Sequence, residues 1–133
     1  MWIFLNNAML SIVAHRDRDD VLLVRARRRG DIERVFPGAT TWQDERADYR
    51  HRAEIPRSQV ARAIADNVAG IEYTNFKGSV RDRTRHDWYM DVWAAGERQQ
   101  RIERLVARDE PAPKKRSPAR GGASARTVSR RDQ

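Results

Sequence analysis

Residues 21–71 read VLLVRARRRGDIERVFPGATTWQDERADYRHRAEIPRSQVARAIADNVAGI, and the changes of hydrophobic period within this stretch decide the fold. Leu22, Val24 and Ala26 alternate with Leu23, Arg25 and Arg27. That period of two marks a strand with one apolar face and one face that turns basic. Gly30-Asp31 opens a short helix through Phe36, with the acidic residue placed favourably at the positive helix end, and Pro37-Gly38 stops it. Residues 39–43 form a short strand, followed by a polar loop through Asp48. Tyr49, His51, Ala53 and Ile55 then alternate with Arg50, Arg52 and Glu54 up to Pro56, a second half-buried strand. From Arg57 the period lengthens: Val60, Ala61, Ile64, Val68 and Ile71 fall on one stripe of a helix, and Gly70 ends it.

Outward from this stretch, residues 2–5 and 8–15 are two apolar segments joined by Asn6-Asn7, a β-hairpin whose turn asparagines tolerate positive φ. On the other side, Thr84 caps a third helix, with Trp88, Tyr89, Val92, Trp93, Ile102, Leu105 and Val106 roughly on one face and Gly96 weakening it. Strand, helix, strand, strand, helix are the first five elements of a ferredoxin-like βαββαβ unit. The N-terminal hairpin is available to supply the remaining strand. The expectation is an α+β, ferredoxin-like single sheet of about five strands, with two to three helices packed on one face.

Charge divides the chain. The formal net charge is +8, but residues 111–133 hold seven of the 27 lysines and arginines and one of the 19 acidic residues, so residues 1–110 are close to neutral at +2. The segment PAPKKRSPARGGASARTVSRRDQ has no aromatic residue and no apolar period. Such a composition buries too little surface to offset ordering entropy. The expected organisation is one α+β domain over residues 1–108 and a disordered basic tail over 109–133. The absence of cysteine excludes disulfides, zinc–thiolate sites and thiol nucleophiles. No run approaches the roughly 18 apolar residues of a membrane span, and residues 1–13 lack the basic start of a signal peptide. The protein reads as cytoplasmic, without a membrane role.

A ladder of short motifs runs through residues 1–95: Met1-Trp2-Ile3-Phe4, Leu23-Val24-Arg25-Ala26-Arg27, Gly30-Asp31-Ile32-Glu33 with Phe36-Pro37, Asp48-Tyr49-Arg50, Tyr73-Thr74-Asn75-Phe76-Lys77, and His86 through Tyr89 to Val92-Trp93. In this ladder the chain resembles an uncharacterised family of short bacterial proteins. The resemblance implies a compact domain and brings no activity, cofactor or catalytic residue.

Three groups of residues carry candidate chemistry. If their strands are neighbours, Arg25, Arg27, Arg50 and Arg52 form a cationic platform for phosphates, with Trp2, Phe4 or Trp42 as the available rings for stacking. The competing reading is a solvated face whose arginines pair with Asp44, Glu45, Asp48 and Glu54. Lys114, Lys115 and Arg116 in the tail would bind any polyanion through counterion release, or merely keep the chain soluble. Tyr73, Asn75, Phe76 and Lys77 form a ligand or partner loop, or else two aromatic plugs, a turn cap and a solvated lysine. Trp88 and Trp93, about 140° apart on a helix, cannot both face the core, so one is available to a protein partner.

His15, His51 and His86 have no metal-ligand spacing, and no cofactor motif or nucleophile context occurs. His86, Asp87 and Lys77 are the cluster an enzyme would use, without a reaction class, and no residue is assigned as catalytic. The leading reading is a small non-enzymatic module binding DNA or RNA without sequence specificity. A protein-interaction or adaptor domain is the alternative, and an enzyme the third.

Overall fold

The computed structural model describes residues 1–109. Among these, the alternating segments are strands β1 (Trp2–Phe4), β2 (Met9–Ala14), β3 (Val21–Ala26), β4 (Thr41–Gln43) and β5 (His51–Pro56), and the helices are α1 (Asp31–Val35), α2 (Arg57–Ala69), α3 (Phe76–Ser79) and α4 (Arg83–Asp109). The strands form one sheet in the order β1-β2-β3-β5-β4, antiparallel at every pairing. β3-α1-β4-β5-α2 is thus the expected run of five elements. The place beside β3 is filled by β2 of the hairpin, whose turn is closed by Leu5 N donating to Ala8 O at 2.8 Å.

Register sorts the side chains by face. Ile12 opposes Val24 and Val24 opposes Ala53, while Leu22 opposes Ile55. Ile12, Val24, Ala53 and Ile55, with Leu10 and Ala26, meet Ile32 and Phe36 from the α1 region and Val60 of α2 in a fully buried core, against which the partly buried Leu22 packs. Burying each such aliphatic or aromatic side chain is worth about 1.5–3 kcal/mol. α1 starts from Gly30, whose φ of +87° is left-handed, a conformation open to glycine at little cost.

Four local features depart from the sequence reading. α4 begins one residue earlier than Thr84, because the Asp82 carboxylate accepts from Arg85 N at 2.8 Å and caps it. The residues between α2 and α4 include α3, started by Asn75, whose Oδ1 accepts from Gly78 N. Tyr49 is not on the face of Ala53 and Ile55: β5 begins only at His51, and Tyr49 is buried against Met9, Val80 and Tyr89. In α2, Val60 is buried but Val68 is exposed, and Ile71, expected on the same stripe, lies beyond the end of the helix at Ala69 and is exposed too.

Residues Met1–Glu97 form one compact unit, and a second begins at Arg98. Within the described part of the second, Ile102, Leu105 and Val106 are exposed. Lys114, Lys115 and Arg116, with the rest of the tail from residue 110, lie outside the described residues. No helix among the described residues is long and apolar enough to cross a membrane.

Candidate functional site

The face of the sheet turned away from Leu10, Val24 and Ala53 carries one continuous cross-strand row. Trp2 opposes Ser11, Ser11 opposes Arg25, Arg25 opposes Arg52, and Arg52 opposes Trp42. At about 4.8 Å between adjacent strands, the row spans about 19 Å from one sheet edge to the other. Its ends are exposed tryptophans, Trp2 at 67% and Trp42 at 42%, and neither indole has a ring or cation partner among the described residues. Its centre is two guanidinium groups on directly opposed residues.

Each central arginine is anchored by a neutral partner. Arg25 Nη2 donates to Ser11 Oγ at 2.8 Å, and its guanidinium carbon lies 4.8 Å from the centre of the Tyr49 ring. Arg25 Nε is buried without a hydrogen-bond partner, an arrangement that costs about 1–3 kcal/mol. Arg52 Nε donates to Tyr49 O at 3.1 Å, and its terminal nitrogens have no acceptor among the described residues. Of the carboxylates expected to neutralise the four arginines, Glu45 does so for Arg50, Asp44 Oδ1 accepts from Arg46 N, and none is paired with Arg25 or Arg52 among the described residues. Glu54 binds His15 and Arg18, and Asp48 Oδ1 accepts from Tyr49 N. Like charges directly opposite one another destabilise an antiparallel pair, and among the described residues no carboxylate relieves this one.

The four arginines singled out in the sequence therefore divide. Arg25 and Arg52 share the row. Arg27 stacks on Tyr49 at 4.3 Å and donates to Asp48 O, and Arg50, just before β5, is paired with Glu45 at 3.3 Å.

The Tyr73–Lys77 loop divides as well. Phe76 stacks on Tyr89, with centroids 5.8 Å apart, and also meets Tyr73. Lys77 Nζ sits 4.2 Å over the Trp93 ring, and Asn75 caps α3. Tyr73 and Asn75 line a cleft of about 680 Å³ together with Asn6, Thr74 and Arg81. Of the two α4 tryptophans, Trp88 packs on Phe4 and Tyr89, and Trp93 is half exposed. His86 lies 3.6 Å from Asp87, while Lys77 is committed to Trp93. Among the described residues no cluster of histidine and acidic side chains has the arrangement of a metal site.

A second charged system is absent from any sequence pattern. Asp31, 1% exposed at its side chain, accepts from Arg85 Nη2 at 2.6 Å, Arg85 Nη1 at 3.0 Å, Arg34 Nη1 at 2.9 Å and Met9 N at 3.0 Å. Arg85 Nη1 also donates to the Tyr89 hydroxyl, which in turn donates toward Leu5 O and Ala8 O. Burial works against the charge on Arg85, but its hydrogen bonds to Asp31 and Tyr89 outweigh burial and raise its pKa. Burial raises the Tyr89 phenol, with Arg85 opposing. Beside them, hydrogen bonds from the Arg28 side chain and the Arg85 backbone lower the Asp82 carboxyl to about 2. This network ties α1 and α4 to the hairpin turn; every strong donor and acceptor in it is satisfied, so its evident work is structural.

Comparisons with protein-family models, with curated proteins and with solved structures return no match.

Proposed function

We propose that this protein is a small nucleic-acid-binding module that takes a single strand at the Arg25–Arg52–Trp42 end of the row, Ser11 being buried, with the exposed Trp2 at the far edge and the basic tail adding affinity without sequence preference. The observation that carries the reading is the opposed Arg25–Arg52 pair without a carboxylate. Phosphate oxygens would supply the missing counter-charge, and arginine binds them through paired N–H groups. Trp2 and Trp42 would stack bases, the sequence-tolerant contact used by single-strand binders. A duplex fits less well, because neither tryptophan can reach a base face in an intact stack.

The test is fluorescence anisotropy of labelled single-stranded DNA and RNA titrated with the full chain over a range of salt. The Arg25→Gln/Arg52→Gln variant should bind more weakly, with its log–log salt slope reduced by about 1.4, or about 0.7 for each of two lost phosphate contacts. Loss of binding only when the tail is removed, with the double variant unchanged, would contradict the assignment to the sheet.

The exposed Ile102, Leu105 and Val106 of α4 favour a protein partner as the second reading. Recovery of one specific protein by the full chain after nuclease treatment, lost on Ile102→Ser/Val106→Ser, would support it.

A further inference from the structure

Two clefts meet beside the Asn6–Asn7 turn, away from the arginine row. The larger, about 680 Å³, has a polar wall that includes Asn67, Glu72, Thr74 and Asn75. The smaller, about 360 Å³, contains Arg34, Arg81 and Arg85 with Asp82. Asn6, Ser79 and Arg81 line both, so the two clefts share a wall.

The charges do not balance. Asp31 alone serves both Arg34 and Arg85. Asp82 is already bound by Arg28 through two nitrogens, at 3.0 and 3.2 Å. Arg81 is exposed and has no carboxylate partner among the described residues. Around the smaller cleft, Arg28, Arg34, Arg81 and Arg85 against Asp31 and Asp82 leave two positive charges uncompensated, and Glu72 in the wall of the larger cleft brings the pair of clefts to one. A phosphodiester or a carboxylate brings one negative charge, whereas a phosphomonoester brings about 1.5 to 2 at neutral pH. The arginine cleft matches the last.

We infer that the paired cleft is a binding site for a phosphomonoester with a hydroxyl-bearing body. The phosphate lies against Arg81 and the outer edge of Arg34, and the body extends along Asn67, Thr74 and Asn75, where Glu72 accepts from a hydroxyl. Arg85, 2% exposed and already engaged by Asp31 and the Tyr89 hydroxyl, contributes field and not a direct contact. A free sugar phosphate and the phosphorylated end of a nucleic acid share this chemistry. The site is independent of the sheet row and stands or falls separately from it.

An amide NMR titration of the full chain with ribose 5-phosphate, with ribose as the control, tests the inference. Saturable shifts are expected at Asn6, Asn7, Ser79 and Arg81 with ribose 5-phosphate and not with ribose. Arg81→Gln should weaken binding about tenfold or more, the loss of one charge-assisted contact, and Arg25→Gln/Arg52→Gln should leave it unchanged. A 5′-phosphorylated oligonucleotide that shifts the same amides more strongly than its 5′-hydroxyl counterpart assigns the site to strand ends; equal shifts from the two oligonucleotides, with ribose 5-phosphate binding, assign it to free sugar phosphates. Absent or non-saturating shifts with ribose 5-phosphate, shifts confined to β3 and β5, or an unchanged Arg81→Gln variant would overturn it.

Discussion

Arg85 and the Arg25–Arg52 pair are arginine systems of opposite kinds in one compact unit. Arg85 is 2% exposed, meets Asp31 through two nitrogens and leans on a tyrosine hydroxyl that is itself hydrogen-bonded. Arg25 and Arg52 face each other across β3 and β5, hold only neutral partners, and leave one buried nitrogen unsatisfied. A buried arginine with a complete set of acceptors binds the fold to itself. Two opposed arginines without a carboxylate among the described residues repel each other, and the difference separates a closed ion pair from a pair with room for an added anion.

The largest effect should come from breaking the satisfied system. Asp31→Ala leaves Arg85 buried and Arg34 unpaired, and should lower the unfolding free energy by about 3–5 kcal/mol, the usual cost of removing one partner of a buried pair; urea denaturation measures it. Arg25→Gln/Arg52→Gln should act the other way on stability, leaving it unchanged or raising it by up to about 1 kcal/mol. Its affinity for single-stranded nucleic acid should fall about a hundredfold, since hydrogen bonds to charged groups contribute about 1.5–3 kcal/mol each.

Smaller effects sharpen the same contrast. Trp42→Ala removes one stacking surface and should weaken single-strand binding by about 1–3 kcal/mol, while stability stays within about 0.5 kcal/mol because the ring is exposed. The smallest expected signal is the pH dependence around Asp82. Its carboxyl titrates at about 2 in the folded chain against an ordinary 3.8, so the stability it contributes is present above pH 3.8 and is lost as pH falls through 2. Asp82→Asn should flatten that part of the acid unfolding profile. At the alkaline end the sign reverses for Tyr89: its pKa is raised above 10.0, so its contribution is complete below pH 10 and fades as pH climbs through the folded value.

Much of the sheet was legible in the sequence, because alternation of Leu22, Val24 and Ala26 and of Ala53 and Ile55 places their strands against one apolar layer, and a hairpin must put β2 beside β1. The arginine faces of β3 and β5 were legible for the same reason. Their neighbourhood was not: register is a property of pairing, and periodicity cannot show that Arg25 opposes Arg52 while Arg50 turns to Glu45. Nor can it show that Trp2 and Trp42, 40 residues apart in the chain, close the two ends of one row. Tyr49 misled because its alternation with His51 and Ala53 continues past the first residue of β5. Asp31, read as a helix-end charge, instead meets an arginine 54 residues further on, a contact made by tertiary packing alone.

The most direct measurement pairs stability with binding for one variant, Arg52→Gln in the full chain, by thermal unfolding and by anisotropy with single-stranded DNA at low salt. The expected result is a melting temperature equal to or above that of the parent and an affinity reduced about tenfold. A lower melting temperature with unchanged affinity would make Arg52 a structural residue and contradict the assignment of this face to nucleic acid.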